Sequence, residues 1–179
     1  MRRDATDNRD RLLLAAEHVF ASRGTSANLD DIARAAGVGP ATLYRRFTNK
    51  DALVREVLHG FFSRLIELAK DAEQAPPRRC VDMFLETVGY ELADKAGLAA
   101  ALWGDLAPQA LIDELTQRSA QLLARAQDAG AIRTDLTQAD ITTTVWALRG
   151  IVQASQPTDA GPNAPWRTHL DHVLKSFHS

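Results

Sequence analysis

The sequence predicts an all-α protein: a three-helix head containing a helix-turn-helix, joined to a larger helical body. Strand-like alternation of apolar and polar residues is missing, while Ala and Leu are abundant. Apolar residues recur at i, i+3, i+4 and i+7 in most segments, the spacing of a helix with one buried face. Gly- and Pro-containing breaks separate those segments.

The first helix is expected over about Asp7–Ser22. Leu13, Ala16 and Phe20, flanked by Leu12 and Val19, form its core stripe. Gly24 is placed to end it in a left-handed conformation. Asn28 caps a short second helix, about Leu29–Ala36, with Asp30 and Asp31 in the dipole-favoured first turn. Gly37 stops that helix. Gly39 then serves as N-cap and Pro40 as first residue of a third helix, where a missing N–H costs nothing. The third helix runs to about Phe47. Thr48 or Asn49 caps a long fourth helix, about Lys50–Ala72. Two helices joined by a tight Gly-containing turn make a helix-turn-helix.

Pro76 and Pro77 break the chain next. Helices are expected beyond them at about Arg78–Asp94, Ala96–Leu106, Pro108–Ala129, Thr137–Val152 and Pro165–Phe177. Thr137 with Asp140 three residues on is close to a capping box. The stretch "QPTDAGPNAP" at 156–165 is expected to be a surface loop. The resulting division is a head over residues 1–55 and a body over 56–179.

Charge follows that division. Residues 1–55 carry ten Lys/Arg against seven Asp/Glu, and residues 56–179 eleven against sixteen. A basic head on an acidic body is what a nucleic-acid-reading head on a non-reading body would show. Cys80 is the only cysteine, so no intrachain disulfide can form. No charge-free run exceeds ten residues, which leaves no transmembrane helix and no membrane partner, and the expected location is cytoplasmic.

The third helix carries the function. Leu43 and Phe47 lie four apart and turn toward the head's core. The remaining face shows Pro40, Ala41, Tyr44 and Arg45, bordered by Thr42 and Arg46. Small residues at the helix start allow close approach to a groove. Hydroxyls of Thr42 and Tyr44 suit phosphate oxygens, and an arginine can make paired hydrogen bonds to a guanine edge. Lys50 opens the next helix, where its ammonium and the free N–H groups both favour a phosphate. An ordinary solvated amphipathic helix has the same spacing, so these features alone leave both readings open.

The block "FASRGTSANLDDIARAAGVGPATLYRRFTNKDAL" (20–53) closely resembles the DNA-binding domain of the TetR family of bacterial transcriptional regulators. Phe20, Gly24, Ile32, Ala33, Ala36, Gly37, Val38, Thr42, Leu43, Tyr44, Phe47, Lys50 and Leu53 fill the family pattern at its spacing. The motif covers about residues 9–58. The chain departs from it at Thr25, at Asn28 and at Gly39, which stands where a serine is usual. The resemblance implies that Thr42, Tyr44 and Lys50 hold phosphates and that Pro40, Ala41, Arg45 and Arg46 face or border the major groove. Base reading should then lean on Arg45, with Arg46 second, because Pro40 and Ala41 have no side-chain donors. Arg2 and Arg3 are either a solvated terminus or an arm near the DNA backbone.

The resemblance further implies a dimer formed by the last two long helices, residues 137–152 and 165–177, binding a palindromic double-stranded operator as a repressor. The stripes Ile141, Val145, Leu148, Val152 and Leu170, Val173, Leu174, Phe177 are compatible with that interface, and equally with packing on the chain's own core. Such bodies commonly enclose a small-molecule effector. Candidate lining residues are Phe84, Thr87, Val88, Trp103, Leu106, Leu122 and Trp146, with Met83, Leu102, Tyr90 and Thr143 beside them, and each of them also fits plain core. A small, largely apolar ligand is expected. His169 and His172 share a metal-compatible spacing without enough further ligands nearby, so no metal is expected. No nucleotide loop, nucleophile elbow or Ser/Cys–His arrangement is present, which argues against an enzyme and against a cofactor. The rival to the repressor is a helical small-molecule-binding or dimerisation protein that no longer binds an operator.

Overall fold

The computed structural model describes residues 2–102, 104–155 and 161–178, with side chains from residue 8 onward. Its helices are α1 (Arg2–Arg23), α2 (Leu29–Ala35), α3 (Pro40–Arg46), α4 (Lys50–Gln74), α5 (Pro77–Asp94), α6 (Gln109–Asp128), α7 (Gln138–Ala154) and α8 (Pro165–Phe177). No strand occurs among the described residues. None of their helices is long and apolar enough to cross a membrane. Two compact units emerge. One comprises Met1–Phe61 with Lys95–Pro108, the other Phe62–Asp94 with Gln109–Ser179.

In the first unit, α1 buries Leu12, Ala16, Val19 and Phe20 against α2. Gly24 takes φ +75° and its N–H closes on the Phe20 carbonyl at 2.9 Å. The Asn28 carboxamide accepts from the Asp30 N–H at 3.1 Å, capping α2. At the other end Gly37, φ +66°, donates to Arg34, and Val38 donates to Ala33. This paired return of hydrogen bonds onto the last helical turn, around a left-handed glycine, is the Schellman ending. It reverses the chain into Gly39, whose extended backbone (φ −70°, ψ 147°) leads into Pro40. Asn49 caps α4 by accepting from the Ala52 N–H at 2.9 Å.

A helix is predicted over Ala96–Leu106, but the chain forms only a 3-10 turn at Ala96–Leu98, followed by further turns. Their hydrogen bonds run from i+3 to i: Leu98 to Lys95, Ala99 to Ala96, Ala101 to Leu98, Gly104 to Ala101 and Ala107 to Gly104. Contact with α1 overrides the helical propensity. A methyl built on Gly97 would stand 2.8 Å from the Ala21 carbonyl carbon and closer still to the Phe20 and Ala21 carbonyl oxygens. Lys95 adds an ion pair with Glu17 of α1 at 2.9 Å. Leu98, Ala99 and Leu102 are buried in this unit.

The second unit is built around α5, which packs on α6, α7 and α8. Cys80, Val81, Phe84, Leu85, Val88 and Leu92 form its buried side. Gly89 admits the Trp166 ring of α8: a methyl there would lie 2.7 Å from one ring carbon. Arg125 of α6 donates to the Glu73 and Ala75 carbonyls at 2.7 and 2.8 Å, serving the open C-terminal end of α4. Asp140 accepts from both the N–H and the hydroxyl of Thr137, each at 2.7 Å, which fixes the start of α7 and holds its carboxyl below the usual range. Beyond α8, His178 turns its two ring nitrogens to the Ala131 carbonyl and the buried Asp82 carboxylate, both at 2.8 Å. Two acceptors call for two donors, so the protonated imidazolium fits this place best. Burial opposes that charge. The Asp82 and Ala131 hydrogen bonds and the Asp82 charge outweigh it and hold the pKa above the ordinary histidine value, with Arg79 opposing.

The stripes expected on the last two helices lie mostly inside this unit. Ile141, Leu148, Val152, Leu170, Leu174 and Phe177 are buried in the single chain, with Val145 and Val173 half-buried.

Candidate nucleic-acid interface

The short α3 is amphipathic in the strict sense. Leu43 is fully buried and Phe47, its C-cap, nearly so. Burying two such side chains contributes about 3–6 kcal/mol and orients everything else on the helix. Pro40, Ala41, Tyr44, Arg45 and Arg46 are exposed, and Thr42 is half-buried. Tyr44 leaves 53% of its surface in solvent, a large exposure for an aromatic in a small unit. Lys50 is half-buried at the first position of α4. The seven residues predicted from sequence therefore sit on α3 and at the start of α4, all with some solvent access.

Four other arginines of this unit are committed. Arg9 pairs with Glu56, and Arg23 and Arg34 pair with Asp31 at 3.3 and 2.7 Å. Arg11 of α1 donates to the Ala36 carbonyl at 2.6 Å, with the Gly37 carbonyl 3.4 Å away. Sequence reasoning misses Arg11, since its partner is a backbone oxygen 25 positions away. Its effect is to hold the turn between α2 and α3 from the α1 side. Arg45 and Arg46 have no ion-pair partner among the described residues, so their guanidinium groups remain available. Asn8 and Arg9, also missed, stand across a cleft from Thr42, Arg45 and Arg46.

The outer face of α3 thus carries small residues at its start and two arginines with no ion-pair partner among the described residues. A family model described as bacterial regulatory proteins, tetR family, matches residues 12–57. A second, described as the C-terminal domain of SbtR-like transcriptional regulators, matches residues 76–168. The chain belongs to the TetR family. The chain is 35% identical over 100 residues to the HTH-type transcriptional repressor KstR2 of Rhodococcus jostii strain RHA1, an overlap of 54% of this chain and 48% of that protein. It thus spans about half the length of the curated relatives it matches. Among solved structures, a TetR transcriptional regulator from Streptomyces coelicolor superposes with a TM-score of 0.70 at 30% identity, covering 95% of this chain and 98% of that one. A TetR regulatory protein from Mycobacterium vanbaalenii gives a TM-score of 0.66 at 33% identity, covering 87% and 98%.

The candidate effector-site residues of the regulator are less coherent. Phe84, Val88 and Leu122 are buried together in the second unit. Thr87 is half-buried and its hydroxyl donates to the Met83 carbonyl one turn back, so it is already satisfied. Trp146 does not join them: it is 54% exposed, because α7 buries Ile141, Thr144, Leu148 and Val152 and leaves position 146 on the far side. Leu106 is half-buried and belongs to the first unit. Trp103 lies outside the described residues. Tyr90 is exposed, its hydroxyl accepting from Arg167 and its ring edge-on to Trp166 at 5.1 Å.

Proposed function

We propose that the regulator is a homodimeric repressor that binds a palindromic operator through α3 and is released by a small, largely apolar ligand held in its body. Residues 1–55 act as the reading head and residues 56–179 as the dimerising and sensing body. The supporting observation is the α3 surface: Leu43 and Phe47 anchor it, and Tyr44, Arg45 and Arg46 remain exposed with the two arginines uncommitted among the described residues. Thr42, Tyr44 and Lys50 clamp phosphates. Arg45 reads a base edge and Arg46 borders the groove, while Pro40 and Ala41 permit close approach.

Two half-sites require two heads. The expected stripes of α7 and α8 serve their own core, so pairing falls to the outer faces. Thr143, Trp146 and Gly150 of α7 and Thr168 and His172 of α8 are exposed there. Ligand release follows from a preference for a head spacing that does not match successive grooves, worth several kcal/mol if the shift is decisive.

Operator-fragment binding over a salt series tests the reading. Lys50→Ala should weaken binding to all sequences and flatten the salt slope by about one unit. Arg45→Ala should cost ~1–3 kcal/mol and relax preference at one base position per half-site. Parental behaviour in both variants would remove α3 from the interface.

A further inference from the structure

Between α1 and α3 lies a cleft of about 210 Å3. Leu12 lines it together with Asn8 and Arg9 on the α1 side and Thr42, Arg45 and Arg46 on the α3 side. An amide, a hydroxyl and three guanidinium groups share one small space, and no carboxylate lines it among the described residues. That donor set suits a compact anion able to accept several hydrogen bonds at once. Arg9 reaches the cleft while Glu56 of α4 holds one of its terminal nitrogens. The side chains of that pair are 33% and 44% exposed, so the pairing is solvent-screened and weak. Glu56 therefore orients Arg9 without burying it, and the other terminal nitrogen stands 4.0 Å from the exposed Asp10 carboxylate, beyond hydrogen-bond reach, so its donors remain for a ligand.

We propose that this cleft seats a DNA backbone phosphate, with Arg9 and Asn8 of α1 as ligands beside Thr42, and with Glu56 as the residue that holds Arg9 ready. The proposal rests on the reading of α3 as the groove-entering helix. The phosphate belongs to the duplex that α3 enters, because Thr42, Arg45 and Arg46 face both the cleft and the groove side. The clamp then grips the duplex from α1 and α3 together, which fixes the angle at which Arg45 meets its base.

The test is DNA binding over a salt series with matched operator and random fragments, alongside thermal unfolding of each variant. Arg9→Ala is expected to weaken both fragments several-fold and to reduce the salt slope by about one unit. Arg9→Lys should restore the slope. Glu56→Gln, which loosens the hold on Arg9 but leaves its charge, should keep the parental slope and weaken both fragments less than Arg9→Ala does. Arg23→Ala, which removes a paired arginine at the far end of α1, should leave the slope unchanged. A parental slope in Arg9→Ala overturns the proposal. So does an equal loss of slope in Arg9→Ala and Glu56→Gln, which would make the pair a structural latch between α1 and α4. Lys50→Ala separates the two readings: if it loses slope while Arg9→Ala does not, only the cleft assignment fails. If neither loses slope, the assignment of α3 fails with it.

Discussion

Replacing Gly97 with alanine tests how closely the segment between α5 and α6 is keyed to α1. The new methyl would meet the Phe20 and Ala21 carbonyls, which are backbone atoms of a helix and cannot swing aside. Ordinary carbon–oxygen contacts stand at ~3.3–3.6 Å, so the segment must retreat by roughly 1 Å. Leu98 and Leu102, both fully buried, move with it. Each contributes about 1.5–3 kcal/mol by burial. A gap of 0.5–1 Å forfeits about a quarter to a half of the contact energy. Together the loss is about 1–3 kcal/mol, the usual range for an overpacked site. In a chain of this length that lowers Tm by roughly 2–12 °C. Gly60→Ala supplies the control of opposite sign. Gly60 lies within α4 with nothing within 4 Å of the added methyl, so alanine there should stabilise by about 0.5–1 kcal/mol. Urea and thermal unfolding of both variants decide the matter. A Gly97→Ala protein as stable as the parent would mean that the segment is not held against α1 in the way described.

Three further outcomes are expected. Arg11→Ala removes a charge-assisted hydrogen bond to Ala36 and should cost about 1.5–3 kcal/mol of stability. It should also weaken operator binding more than random-sequence binding, whereas an equal loss on both DNAs would make Arg11 a plain stabiliser. Trp146→Glu should shift the protein toward monomer in analytical ultracentrifugation and leave the far-UV spectrum unchanged; a persistent dimer would move the interface elsewhere. The raised pKa of His178 means that its contribution is fully present below about pH 6.5 and is lost as pH rises through the folded-state value. The Tm difference between parent and His178→Gln should therefore be largest in acid and shrink toward pH 9, and a constant difference would contradict the protonated form.

The legible parts of this chain are those decided locally. The cap at Asn28, the left-handed Gly37 and the i, i+4 pair Leu43–Phe47 depend on neighbours within one helical turn, and they are visible in the sequence. What distant chain decides is not. Residues 96–106 carry helical propensity, yet with Gly97 pressed on α1 only a 3-10 turn forms at Ala96–Leu98, followed by further turns. Arg11 resembles any solvated arginine until the fold delivers the Ala36 carbonyl to it. Periodicity finds the stripes of α7 and α8 but not what covers them, so Leu148 and Leu170 read equally as core or interface. Trp146 shows the converse: a large aromatic suggests burial, while its phase on α7 puts it outside. TetR-family membership is legible because one 34-residue block, 20–53, carries it, and the family model matches over residues 12–57, which contain that block.

The front of α3 has one more property. Gly39 has nothing within 4 Å of where a Cβ would stand, its φ of −70° suits any residue, and Ala41 is exposed. Neither position is packed against a neighbour, although the N-cap place held by Gly39 favours a short polar side chain over an apolar one. They are vacant sites in the molecule's vocabulary, where a new side chain adds a word without rewriting the sentence. If α3 reads the operator as proposed, polar side chains placed at 39 and 41 change what it meets there, with Leu43 and Phe47 untouched. The same two positions are where a selection for altered operator preference has the most room to succeed.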